Sequence, residues 1–251
     1  MGPLETVGLV LAGVLAGAMN AVVGGGSFVT FPALVLAGLP PLVANTSSTV
    51  ALFPGGLSSI AAYRHDLHPR FAGVGLGALV AASAAGGLLG AVLLVSTPGR
   101  AFDAIVPWIL LVATLTFAGG RRLAAALGRA HDASPPAMLA IQVVLGVYGG
   151  YFGGAVGIMM LAAWSVVTRM EVTTMNPHRA LLVNAANALA VLFFIIRGQV
   201  AWAATLALLG GAILGGYGGA RWARRLDARI VRALVIGTGA LVTAAFFLRL
   251  V

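Results

Sequence analysis

Apolar runs of about 20 residues, the length a helix needs to cross roughly 30 Å of hydrocarbon, follow one another along this whole 251-residue chain. An irregular backbone or an open strand cannot face lipid, so each run is expected to be helical. Set against their Arg, Pro and Gly punctuation, the runs give ten segments: 4–22, 27–38, 43–62, 70–94, 102–119, 136–152, 155–168, 177–196, 201–220 and 230–249. Composition agrees. Hydrophobic residues make up 60% and charged residues 8%, with a mean hydropathy of +1.03, whereas a soluble domain carries about 25% charge. The expectation is an all-α polytopic membrane protein embedded in the lipid bilayer, with no soluble domain. The opening MGPLETVGLV has no basic residue before its apolar region and is read as part of the first span, not as a cleavable signal.

The formal net charge of +9 would suggest nucleic acid in a soluble protein, but all fifteen basic residues are arginines in the short loops between spans. That is an orientation signal. With ten crossings, Arg64, Arg70, Arg121, Arg122, Arg129, Arg169, Arg179, Arg221, Arg224, Arg225, Arg229 and Arg232 share one side, and Arg100, Arg197 and Arg249 take the other. The arginine-rich side is expected to be cytoplasmic, which places both termini outside the cytoplasm of a bacterial inner membrane. Cysteine is absent, excluding disulfides, thiolate metal sites and cysteine nucleophiles, and neither a metal nor a cofactor is expected.

The one sizeable polar connection, GGRRLAAALGRAHDASPP, divides the chain into a first repeat (1–120), a cytoplasmic linker (121–135) and a second repeat (136–251). A shift of 133 residues lays Gly13 on Gly146, Gly17 on Gly150, Gly24 on Gly157, Arg64 on Arg197, Gly77 on Gly210 and Gly86 on Gly219. Five segments per half make the second copy run opposite to the first. The expected fold is two inverted five-segment repeats whose first helix pairs are broken or re-entrant.

The breaks are the candidate site. NAVVGGGS (20–27) interrupts an apolar run with poor helix formers, and GGAVGIMM (153–160) is its counterpart. In transporters built from inverted repeats, such paired interruptions point to the binding site. Free N–H groups at a helix start hold an anion without a charged side chain. Gly13/Gly17, Gly86/Gly90 and Gly211/Gly215/Gly219 have the spacing of close helix packing instead. ANTSSTVALFPGG (44–56) adds hydroxyls and an amide, with Asn45 and Thr46 also readable as caps, Ser48 and Thr49 lying deeper, and Pro54-Gly55 weakening the helix. In NPHRALLVNAAN (176–187), Asn176-Pro177 reads as a helix start. Asn184 and Asn187, three apart on one face, are either helix–helix glue or ligand contacts.

The six acids, Glu5, Asp66, Asp103, Asp132, Glu171 and Asp227, all lie at or near segment ends. A cation carrier or proton relay would normally place one within the membrane. The remaining set of donors and hydroxyls, with Arg179 or His178, selects for an anion. His65, His68 and His131 fall in arginine-side loops and read as solvated.

These stretches resemble the TauE/SafE family of sulfite exporters and related anion permeases. The likeness runs from LAGVLAGAMNAVVGGGSFVTFPALVLAGLPPLVANTSSTVALFPGGLSSIAAYR to GGAILGGYGGARWARRLDARI. It implies transport of sulfite, sulfoacetate or another organosulfonate, and roles for Asn20, Gly24, Gly25, Gly26, Ser27, Asn45, Thr46 and Ser47. The second break departs from the pattern, since GAVGIMM lacks the glycine triplet and a counterpart to Pro32. The expected function is a secondary permease for a small anion, with Asn184 and Asn187 completing the site. Alternatives are a carrier of a carboxylate or neutral metabolite, or a non-transporting scaffold or partner subunit. An enzyme is not expected, because HExxH, paired intramembrane aspartates and a Cys/His pair are all missing.

Overall fold

The computed structural model describes residues 1–22, 25–126, 133–154, 156–222 and 228–248. Among them are ten α-helices matching the ten apolar runs: α1 (Pro3–Val22), α2 (Ser27–Leu36), α3 (Pro41–Tyr63), α4 (Leu76–Ser96), α5 (Gly99–Ala126), α6 (Pro135–Phe152), α7 (Val156–Val167), α8 (Val172–Ile196), α9 (Trp202–Trp222) and α10 (Ala228–Leu248). Five of these are long and apolar enough to cross a membrane. At 1.5 Å per residue, α2 and α7 reach only about 15 and 18 Å, roughly half the hydrocarbon core.

The side chains face the way a bilayer demands. α1 exposes Leu4, Val7, Leu11 and Leu15 along one stripe, and α8 exposes Leu189, Leu192 and Ile196. Apolar stripes of this length are stable when lipid covers them. The interior reverses this in α3, where Asn45, Thr46, Ser47 and Ser48 are all buried. The protein is a multi-pass membrane protein with apolar outer faces and a polar helix at its centre.

The most extensive interfaces join α1 to α9 and α4 to α6. Both are built on the glycines read as packing residues. A Cβ on Gly13, Gly17, Gly211 or Gly215 would run into main-chain oxygens of the partner helix, and the same holds for Gly86, Gly90 and Gly150 across α4 and α6. Without a hydrophobic drive between helices in lipid, this backbone approach supplies the dispersion contact that holds them. The side-chain surroundings of Gly219 lie outside the described residues.

The boundaries differ from expectation at four places, each for a local reason. Arg70–Phe71 pairs antiparallel with Val74–Gly75 around a turn at Ala72 (φ 49°) and Gly73 (φ 77°), so α4 starts at Leu76, not at 70. Two positive φ values in a two-residue loop make a hairpin turn, and an apolar pattern alone did not reveal it. α3 starts at Pro41, which puts Asn45 and Thr46 in its second turn, too deep to cap it, and the helix runs on through Pro54 and Gly55. α8 starts at Val172 with Glu171 before it, so Pro177 sits inside the helix instead of at its first position. α5 continues to Ala126, into the expected linker, of which 127–132 lie outside the described residues, as does Arg129. The α3–α4 connection spans 64–75 and the α8–α9 connection only 197–201, so one constant shift cannot carry the whole first half onto the second.

Candidate functional site at the two helix breaks

The chain turns between α1 and α2 with Asn20 as its tie. The Gly26 N–H donates to Asn20 Oδ1 at 3.0 Å. Gly26 has helical angles (φ −58°, ψ −31°), so conformation does not demand a glycine there. Space does: a Cβ would lie 2.7 Å from the Ala16 main-chain oxygen and 3.0 Å from Asn20 Cγ. Gly25 is buried and Ser27 partly so. Gly24 lies outside the described residues.

At the second break, α6 ends on Phe152, and Gly153 takes φ +70°, a left-handed angle that favours glycine. A Cβ on Gly153 would also meet Thr49 Oγ1 at 2.8 Å. The next residue reaches the other half, because a Cβ on Gly154 would lie 3.4 Å from Ser27 Oγ. Beside it, the Phe31 and Phe152 rings meet edge to face at 5.7 Å between centroids. The two breaks, far apart in sequence, therefore touch.

α3 pins the elements around them. Asn45 Nδ2 donates to the Tyr151 main-chain oxygen at 2.9 Å, and Thr49 Oγ1 to that of Asn45 at 3.0 Å. The Ser48 and Thr30 hydroxyls share a bond at 2.5 Å. Ser47 Oγ accepts from the Ala201 N–H at 2.9 Å, while the Thr46 hydroxyl donates to the Gln199 main-chain oxygen and lies 3.0 Å from that of Val43. Bonds of this kind within a membrane protein average about 0.6 kcal/mol each, so the cluster is worth a few kcal/mol as a set.

On α8, Asn184 Nδ2 donates to the Ala180 main-chain oxygen at 2.8 Å, and its carboxamide occupies the space that a side chain on Gly56 of α3 would need. Asn187 differs, since its Oδ1 is enclosed without a hydrogen-bond partner. Arg179 Nε is enclosed and unpartnered too, and its guanidinium lies against the first turn of α7, where a Cβ on Gly157 would be 3.2 Å from Nη1. His178 is committed elsewhere. Its Nε2 accepts from the His68 N–H at 3.3 Å, its Nδ1 lies 3.0 Å from the Thr174 oxygen, and its ring stacks on Phe71 at 4.6 Å. Among the described residues, no cluster of His and acidic groups is arranged to hold a metal.

The structure thus gathers Asn20, Gly25, Gly26 and Ser27 with Asn45, Ser48 and Thr49 of α3 around the two breaks, turns Thr46 and Ser47 to the 199–201 connection instead, and separates Asn184, turned to α3, from Asn187. Sequence reasoning missed Thr30 and the 199–201 connection, whereas Gly153 opens the second break as read. Thr30 had a signal, one helical turn after Ser27.

Two half-length helices whose breaks approach each other inside a bundle with apolar outer faces define a polytopic α-helical membrane protein. The sulfite exporter TauE/SafE family matches residues 9–246, and the chain belongs to that family. It is similar to a probable membrane transporter protein, ORF9, of Sinorhizobium sp. (30% identity, covering 91% of this chain and 87% of the relative). It also resembles the probable membrane transporter protein YfcA of Escherichia coli K12 (26%, 97% and 90%) and one from Haemophilus influenzae (24%, 94% and 92%). No solved structure matches the chain. Family and relatives together support a membrane transporter.

Proposed function

We propose that the chain is a secondary permease that exports a small anion, sulfite or an organosulfonate, from the cytoplasm through a site between the two breaks. The observation that carries this reading is the approach of Ser27 to Gly154, close enough that a Cβ added there would lie 3.4 Å from Ser27 Oγ, which brings two interrupted helix pairs to one place. The N–H of Gly26 is engaged by Asn20, leaving those of Gly25 and Ser27 for the ligand. Asn20 and Asn45 form the polar wall, Thr46 and Ser47 hold α3 to the 199–201 connection behind it, Gly26 keeps the turn tight, Asn187 faces the ligand from α8, and Asn184 braces α8 against α3. The acids at segment ends leave no carboxylate for a cation or proton relay. Moving one negative charge out of an inside-negative cell gains about 2.3 kcal/mol per 100 mV, enough to drive export without a coupling ion.

The inverted-repeat reading is supported by how contacts exchange between halves: α1 pairs with α9 as α6 pairs with α4, and α2 packs on α10 as α7 packs on α5. The arginine distribution then sets both termini outside the cytoplasm of a bacterial inner membrane, with 1–120 and 136–251 as the two repeats. Substrate-gated currents on proteoliposomes test the anion assignment against its rivals. Sulfite and small sulfonates should give currents of one sign that scale with charge. Currents only with carboxylates, or uptake of neutral metabolites without current, would replace the assignment.

A further inference from the structure

Arg179 is a cation in a membrane-spanning helix, yet nothing described in the protein neutralises it. Its Nε is enclosed and makes no hydrogen bond although the residue as a whole is only partly buried, and none of the four described acids, Glu5, Asp66, Asp103 and Glu171, pairs with it. Enclosing part of a guanidinium without a counter-charge is costly, and such groups in membrane helices mark a substrate or ion path. Val183 and Asn187 follow Arg179 at i+4 and i+8, so the three share one stripe of α8. Arg179 and Val183 both border Gly157, and the Asn187 Oδ1 on the same stripe is also unpartnered. Two unsatisfied polar groups therefore lie along this stripe of α8, the arginine of the pair against the start of α7.

The same segment that carries Gly157 carries Gly154, which borders Ser27. One short piece of chain thus touches both the glycine-rich turn of the first half and the arginine of the second. The 133-residue shift lays Arg179 on Thr46, whose hydroxyl is spent on main-chain oxygens of Val43 and Gln199. The two halves therefore offer different things at equivalent places: a structural hydroxyl in one, an unneutralised charge in the other. Gly157 keeps its small size because a side chain there would press on the guanidinium.

We infer that Arg179 is the charge-bearing anion ligand of this protein. It binds the oxyanion from the α8 side, with Asn187 on the same stripe, and supplies in the second half what the glycine triplet supplies in the first. The inference rests on the anion-permease reading and assigns its specificity-determining residue. A planar guanidinium presents two parallel N–H donors, which suit the paired oxygens of a sulfite or sulfonate group better than one ammonium does.

The test uses the full-length protein in proteoliposomes, with sulfite as the probe, and compares the parent with Arg179→Gln, Arg179→Lys and Gly157→Ala. Losing a charge-assisted bond should weaken sulfite binding at least tenfold in Arg179→Gln, with a smaller loss in Arg179→Lys and in Gly157→Ala. Thermal unfolding separates a ligand role from a structural one. Without anion, Arg179→Gln should unfold at or above the parent's temperature, because a charge with an enclosed, unpartnered Nε has been removed, and sulfite should no longer raise it. If the parent binds sulfite and Arg179→Gln binds it equally well, or if Arg179→Gln is destabilised while its anion response persists, the inference is overturned and the permease reading stands. If the parent neither binds nor transports any oxyanion, that reading fails, and the inference fails with it.

Discussion

Asn45 Nδ2 donates to the main-chain oxygen of Tyr151 at 2.9 Å, which ties the second turn of α3 to the last turn of α6 just before the second break. Truncating Asn45 to Ala should unfix that end of α6. Interhelical bonds in membrane proteins reach about 1.7 kcal/mol, and the freed carbonyl is partly buried, so a loss of about 1–2 kcal/mol is expected. Unfolding in mild detergent would measure it. An unchanged midpoint would mean that the bond is dispensable.

The glycines sort into two predicted classes. Gly87 and Gly215 lie so close to main-chain oxygens of Ala186 and Val14 that alanine forces helices apart, and Gly87→Ala or Gly215→Ala should be destabilised by more than 2 kcal/mol. Gly77 and Gly210 have open space at the Cβ position, so alanine there should stabilise by about 0.5–1 kcal/mol through helix propensity. Four single variants in one thermal series check the contrast.

That contrast also shows how far the sequence reaches. The ten helices were legible because lipid forces each apolar run into a helix, and Gly-xxx-Gly spacing identified the faces that pack. The hairpin at 70–75 was not legible, since its signal is two backbone angles at Ala72 and Gly73. Asn45 and Thr46 read as caps only while Pro41 was not seen to begin α3. Asn184 and Asn187 looked equivalent at three-residue spacing. A gap at Gly56, a feature of another helix, is what separates them.

Asn184→Leu should therefore cost stability, because leucine is larger than the space beside Gly56 and loses the bond to Ala180. Asn187→Leu should leave stability level or higher, since it removes an enclosed oxygen that has no partner, and should weaken anion binding severalfold. Paired unfolding and sulfite titrations would show the split. The reverse pattern would exchange the roles of the two residues.

Orientation is checked by single cysteines, which the native chain lacks altogether. A cysteine in place of Arg100 should react with an impermeant thiol reagent in intact cells. One in place of Asp66 should react only after the membrane is opened. Labelling of both in intact cells would refute the inverted arrangement.

The central claim is that a small anion crosses at the meeting breaks, and counterflow of radiolabelled sulfite measures this most directly. Proteoliposomes loaded with unlabelled sulfite should accumulate label transiently with the parent protein. Gly25→Val, which obstructs the main-chain donors, should lower sulfite affinity at least tenfold, while Ser27→Ala, which keeps the backbone donor, should lose less. Parent vesicles that accumulate no sulfite or sulfonate above protein-free controls, or a correctly folded Gly25→Val that matches the parent, would contradict the account.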